Sequence, residues 1–202
     1  MGSTQVHPAQ CGVRHDRMYH AAELSSSLEL VIDVTPQIYA PNDVISGCVD
    51  FLESHSVAED GIQAFRLLIS EALANAIEHG ILCLPSSLKE DPFHPYHEVL
   101  RSRLNDVGPG QVFLKVRLLH ENGNCDLIRA IGVEVSDSGP GFDWQGYMCD
   151  LKMPDSERSF GRGLALIKMI ARHVSFNESG NTISFIVPCE ADAPTGGPDA
   201  GH

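Results

Sequence analysis

Positive charge is scarce in this chain: 14 Lys and Arg stand against 27 Asp and Glu, a formal net charge of −13 over 202 residues. Tracking a nucleic-acid backbone requires clustered cations that displace counterions, so nucleic acid is excluded as an expected partner. Long hydrophobic runs are missing as well. The most apolar stretch, residues 65–84, is interrupted by Arg66, Glu71, Asn75, Glu78 and His79, groups that a bilayer core would not accept. It reads as a buried helix of a soluble protein without a membrane span. No basic segment followed by an apolar run stands at the N-terminus, so the expected location is cytoplasmic. The six cysteines, at 11, 48, 83, 125, 149 and 189, form no Cys-x-x-Cys pair and have no closely spaced His partners. That spacing fits reduced thiols better than a zinc site or a disulfide framework. His94 and His97 lack a second ligand pair and read as part of a solvated loop. No Gly-Lys-Ser or Gly-Lys-Thr occurs, which excludes a Walker loop, and no Gly-x-Gly-x-x-Gly follows a strand, which excludes the dinucleotide fingerprint.

What remains is the material of one domain with one core. Residues 1–27 and 189–202 lack sustained periodicity and are expected to be mobile tails. Between them, residues 28–34 suggest a strand, and Pro41-Asn42-Asp43 starts a helix through His55. A second helix begins at the acidic pair Glu59-Asp60 and ends at Gly80. Residues 84–110 form an unusually long connection with a helix at 97–105. Residues 112–119 and 127–136 are expected as antiparallel strands joined at Asn122-Gly123. A helix at 164–172 and strands at 174–177 and 182–188 complete an α+β, two-layer arrangement. Its sheet is expected to be mixed but mostly antiparallel, with helices on one face.

Three short segments carry chemistry. Glu71 and Asn75 are four residues apart, on one helical face, with His79 next along that stripe. An amide oxygen at Asn75 suits Mg²⁺, which takes one or two protein oxygens beside phosphates and water, and Glu71 can act as a base. A solvated polar stripe is the alternative for that helix taken alone. Asp137 ends a strand and opens a turn with Gly139 and Gly141, residues that permit positive φ and close backbone approach to a flat ring. Its carboxylate suits the exocyclic amine of adenine and would be left unpaired against the carbonyl of guanine, which favours ATP over GTP. An ordinary Asp-Ser-Gly turn is the alternative. Gly161-Arg162-Gly163 precedes an apolar helix beginning with Leu164, whose free N–H groups and positive dipole end can meet phosphate oxygens.

Taken in order, Glu71-Ala72-Leu73-Ala74-Asn75-Ala76, Asp137-Ser138-Gly139-Pro140-Gly141 and Gly161-Arg162-Gly163-Leu164 resemble the N, G1 and G2 boxes of the gyrase, Hsp90, histidine-kinase and MutL type of ATP-binding domain, over about residues 28–188. The Glu-Ala-x-x-Asn-Ala form is most similar to the anti-sigma-factor serine kinases of bacterial partner switching. The resemblance implies the Bergerat-type fold, a catalytic base at Glu71, a Mg²⁺ ligand at Asn75 and an adenine contact at Asp137. It also implies a water shared with Asp137 by Thr182, and an ATP lid over residues 143–160. Glu157-Arg158-Ser159 resembles the run before the last box in sporulation-type members, which makes Arg158 a γ-phosphate or substrate contact unless it is simply solvated. The implied partners are a STAS-type anti-sigma-factor antagonist carrying the acceptor Ser or Thr, a sigma factor, and a second copy of the chain in a homodimer. The opposing phosphatase is expected to be a separate protein. Two other functions compete: a sensor histidine kinase, disfavoured because His15, His20 and His55 lack a helical-hairpin setting, and an ATP-gated binding module without turnover.

Overall fold

The computed structural model describes residues 24–34, 41–85, 88–89, 95–106, 111–121, 124–146 and 162–189. Five strands form one sheet in the order β1-β2-β3-β5-β4, and every described pairing is antiparallel. They are β1 (Leu24–Val34), β2 (Val112–Glu121), β3 (Asn124–Asp137), β4 (Arg172–Phe176) and β5 (Thr182–Pro188). The helices are α1 (Pro41–Ser54), α2 (Glu59–Ala74), α3 (Tyr96–Asp106) and α4 (Arg162–Ile170), and α2 runs directly into a π-helical turn, Asn75–Ile81. The expected α+β fold is therefore present. β1 starts four residues earlier than expected, because Leu24 to Ser26 pair with Glu121 to Leu119 of β2; residues 1–23 and 190–202, the rest of the expected tails, lie outside the described residues. At the other end, Cys189 is buried and its N–H bonds to the Arg129 carbonyl at 3.0 Å.

Strand alternation divides the sheet into two faces. Val112, Leu114, Val116 and Leu118 of β2 are fully buried, as is Ile131, and Val133, Val135, Ile183, Phe185 and Val187 are buried on the same side. Against that face pack Ile45, Cys48, Val49 and Leu52 of α1 and Ile62, Phe65, Leu68, Ile69, Ala72 and Leu73 of α2. Gly61 lets α2 approach the end of β5, since a Cβ there would lie 3.0 Å from Cys189 Cα and Sγ. The opposite face carries Arg117, which bonds to Glu29 at 2.9 Å and approaches Glu134 at 3.5 Å, and Lys115, 3.3 Å from Glu134. These partly solvated pairs contribute little to stability. The long connection is tied down by Lys89, whose Nζ lies 2.9 Å from buried Glu78 and 5.0 Å from the Tyr96 ring centre. Among the described residues, no helix is long and apolar enough to cross a membrane.

Candidate nucleotide site

The first box is shaped by a change of helical pitch. At Asn75 the α-helical ladder ends, with its N–H reaching both the Ala72 and Glu71 carbonyls, and the chain continues with i→i+5 bonding such as Leu82 N–H to the Ile77 carbonyl at 2.9 Å. The wider turn rotates the following residues. His79, expected on the stripe of Glu71 and Asn75, has its Nδ1 on the Leu84 carbonyl. Gly80 takes the position facing Asp137: a Cβ on Gly80 would stand 2.5 Å from Asp137 Cγ and Oδ1. Gly80 is a site residue the sequence reading missed, because a glycine after a helical run reads as a helix stop.

Asp137 is half-buried at the end of β3, its carboxylate flanked by Gly80 and Gly139. Gly139 N–H donates to Asp137 Oδ1 at 2.8 Å, and a Cβ on Gly139 would collide with the Gly80 carbonyl. Loss of solvent pushes the Asp137 pKa above the usual carboxylate value, and the Gly139 N–H opposes that shift. Of the two glycines in this box, Gly141 has the positive φ, 76°. Its close approach is to the Ser179 carbonyl of the β4–β5 turn, and the neighbouring Phe142 N–H bonds that same carbonyl at 3.1 Å. Gly180, at φ 78°, closes the contact from the other side against Phe142. Gly141 thus locks two loops together. Beyond it, Trp144 stacks on Phe176, with ring centres 5.6 Å apart and planes at 20°.

The third segment lands on the first. α4 begins at Arg162, and a Cβ on Gly163 would lie 2.6 Å from Glu71 Oε2 and 3.4 Å from Asn75 Nδ2. Leu164 packs against the core and sets the depth of the helix end. The N-terminal turn of α4, with its unpaired N–H groups and positive dipole end, therefore sits over Glu71 and Asn75. Asn75 Nδ2 is buried and has no hydrogen-bond partner among the described residues. An unpartnered buried amide is costly in isolation, and a polar group brought to this place would satisfy it. Gly161 and Arg158 lie outside the described residues, as do positions 147–160 of the expected lid.

Thr182 requires a correction. It pairs with Ser136 across β3 and β5, and the two hydroxyls hydrogen-bond at 2.8 Å. Residue alternation therefore places Thr182 on the open face of the sheet and Asp137 on the helix face. A second bond to Thr182 Oγ1, from Asn177 Nδ2 at 3.2 Å, holds it there, so it is not placed to share a water with Asp137. The position on Asp137's side belongs to Asn181.

A family model for the histidine kinase-like ATPase domain matches residues 36–187, which includes all of these segments. The chain belongs to that family. No curated protein matches it. The ATPase domain is an ATP-binding domain, and the Glu71–Asn75, Asp137 and Gly163 segments, about sixty and twenty-five residues apart in sequence, meet along one edge of its helix layer.

The residues present also fit a magnesium ion accompanying the nucleotide. Turned about its last torsion, the Asn75 amide presents oxygen where its unpartnered nitrogen now lies. Among the described residues, no group of three or more His, Cys, Asp or Glu could hold a metal by itself. A cation beside Asn75 would thus draw most of its oxygens from phosphate and water, the usual habit of Mg²⁺.

Proposed function

We propose that this ATPase domain is a serine/threonine protein kinase of the anti-sigma-factor type. It transfers the γ-phosphoryl of ATP to a Ser or Thr of a STAS-type anti-sigma-factor antagonist in the cytoplasm, and it sequesters a sigma factor once that antagonist is phosphorylated. The observation that carries the reading is the placement of the Glu71 carboxylate against Gly163 at the start of α4, beside Asn75 Nδ2, which has no hydrogen-bond partner among the described residues. A base and a polar amide converge where a helix end can receive phosphate.

In this reading Asp137 accepts the adenine amine, and Gly80 and Gly139 keep its carboxylate accessible to the base. The N–H groups opening α4 receive phosphate oxygens, and Asn75 would hold Mg²⁺, which neutralises phosphate charge when bound. Glu71 takes the proton of the acceptor hydroxyl as its oxygen bonds to the γ-phosphorus. The bond from that phosphorus to the β–γ bridging oxygen breaks, and ADP leaves. Positioning and charge neutralisation supply most of the acceleration. Incubation with labelled ATP, magnesium and candidate antagonists, followed by location of the label, tests the proposal. Phosphoserine or phosphothreonine on the partner is the expected result. Partner binding that depends on ATP but leaves no phosphate would replace the kinase with an ATP-gated binding module.

A further inference from the structure

Asn181 occupies the side of β5 from which Thr182 is turned away, and its contacts reach both sides of Asp137. Its backbone carbonyl accepts the Asp137 N–H at 2.9 Å, and its side-chain Nδ2 donates to the Gly139 carbonyl at 3.2 Å. Its Oδ1 accepts from Asn177 Nδ2 at 2.7 Å and from Ser179 Oγ at 2.8 Å. Asn177 anchors the whole turn, its Oδ1 accepting the N–H groups of Gly180, Asn181 and Thr182 at 2.8, 3.1 and 3.2 Å. The amide of Asn181 is thereby fixed at one end and reaches across to Gly139 with the other.

We infer that Asn181 is a positioning residue for adenine recognition, clipping the carboxylate-bearing loop to the β4–β5 turn. The inference rests on the assignment of Asp137 as the adenine contact. β3 ends at Asp137, and Ser138 is still held to the residue before β2, its N–H donating to the Gln111 carbonyl at 3.0 Å and its Oγ accepting the Gln111 N–H at 3.1 Å, so Gly139 is the first residue past these bonds. Gly139 has no side chain of its own to anchor. The Asn181 amide fixes the Gly139 carbonyl, and the Gly139 N–H engages Asp137 Oδ1, which leaves Oδ2 without a hydrogen-bond partner among the described residues. That oxygen is the one available to a base amine. Freeing Gly139 would let the carboxylate rotate, and the energy lost would be the part of binding specific to that amine.

The test compares ATP with purine riboside triphosphate, which lacks the 6-amino group, by calorimetric titration. Wild type is expected to prefer ATP by about ten- to hundredfold, the range of a hydrogen bond to a charged group. Asn181→Asp keeps the Oδ1 bonds to Asn177 and Ser179 and replaces only the donor to Gly139, while Asn181→Ala removes that donor without adding charge. In both, the preference should fall by about tenfold, with the affinity for purine riboside triphosphate changed much less. In an Asp137→Asn background, Asn181→Ala should cost almost nothing further, because the two residues act in series. Melting curves establish that each variant folds, and Asn181→Ser replaces any that does not. A folded variant that keeps the full wild-type preference, or costs that add in the double mutant, overturns the clip. Absence of any preference in wild type would instead sink the Asp137 assignment beneath it.

Discussion

At the scale of single residues, Asp137 shows how binding and stability oppose each other. Burial raises its pKa in the folded protein, so its contribution to stability is present below the ordinary carboxylate pKa and is lost as pH rises through the raised value. At neutral pH the ionised group is a cost of folding that a nucleotide amine can offset. Asp137→Asn should therefore raise the melting temperature of the nucleotide-free protein at pH 7, with the difference shrinking as pH is lowered into the carboxylate range. The same variant should lose ATP affinity by about 1.5–3 kcal/mol, the worth of a charge-assisted bond. Parallel melting and titration series check both signs; equal ATP affinity in mutant and wild type would remove the adenine contact. Glu71 and Asn75 should separate in a different way. Glu71→Ala should lower the phosphoryl-transfer rate by about 10²–10⁴ while nucleotide affinity survives, because a base acts on the acceptor proton and not on the adenine. Asn75→Ala should impair both magnesium-dependent binding and transfer. Rapid-quench transfer assays beside nucleotide titrations distinguish the two, and wild-type transfer by Glu71→Ala would falsify the catalytic glutamate.

At the scale of elements, the π-helical turn Asn75–Ile81 serves two faces at once. One face presents Asn75 and Gly80 to the site, and the other buries Glu78 against Lys89 at 2.9 Å. Removing the Lys89 charge leaves Glu78 buried without its partner, and since Lys89 itself is about one-third exposed, the cost should lie below that of a fully buried pair. Lys89→Met should destabilise the protein by about 2 kcal/mol in urea denaturation, and adding Glu78→Gln should recover most of it. If the single variant matched wild type, the ion pair would not be what ties residue 89 to the helix. The turn also marks where sequence reading stopped. Capping residues and periodicity revealed α1, α2, α3, α4 and the strands within a few residues, because those signals are local. The i→i+5 bonding is set by packing against β3, so Gly80 read as a helix stop and not as the residue facing Asp137. The strand order, with β5 between β3 and β4, depends equally on long-range pairing. Thr182 was different, since its phase was legible: buried Ile183, Phe185 and Val187 alternate along β5, and that alternation sets Thr182 on the opposite side.

At the scale of the whole molecule, the candidate site is assembled from parts that are remote in sequence and share one core. Glu71, Asn75 and Gly80 come from the helix layer, Asp137 from the end of a central strand, and Gly163 from the start of a helix late in the chain. A nucleotide held by all of them cross-links α2, β3 and α4, so its binding energy should stabilise the cooperative unfolding unit and not one loop. Linkage sets the size of the effect: with ATP and magnesium at a hundred times the dissociation constant, the folded state should gain about 2.7 kcal/mol. For a domain of this length that corresponds to a rise in melting temperature of about 5–10 °C. The rise should grow logarithmically with ATP concentration. GTP at equal concentration should give a much smaller shift, because its 6-carbonyl would meet the Asp137 carboxylate with no proton between them. Asp137→Asn should bring the ATP and GTP curves together by lowering the ATP response. Equal shifts for ATP and GTP in wild type would count against an adenine-selective carboxylate. An ATP shift confined to a minor early transition would show that the bound nucleotide does not couple the three elements.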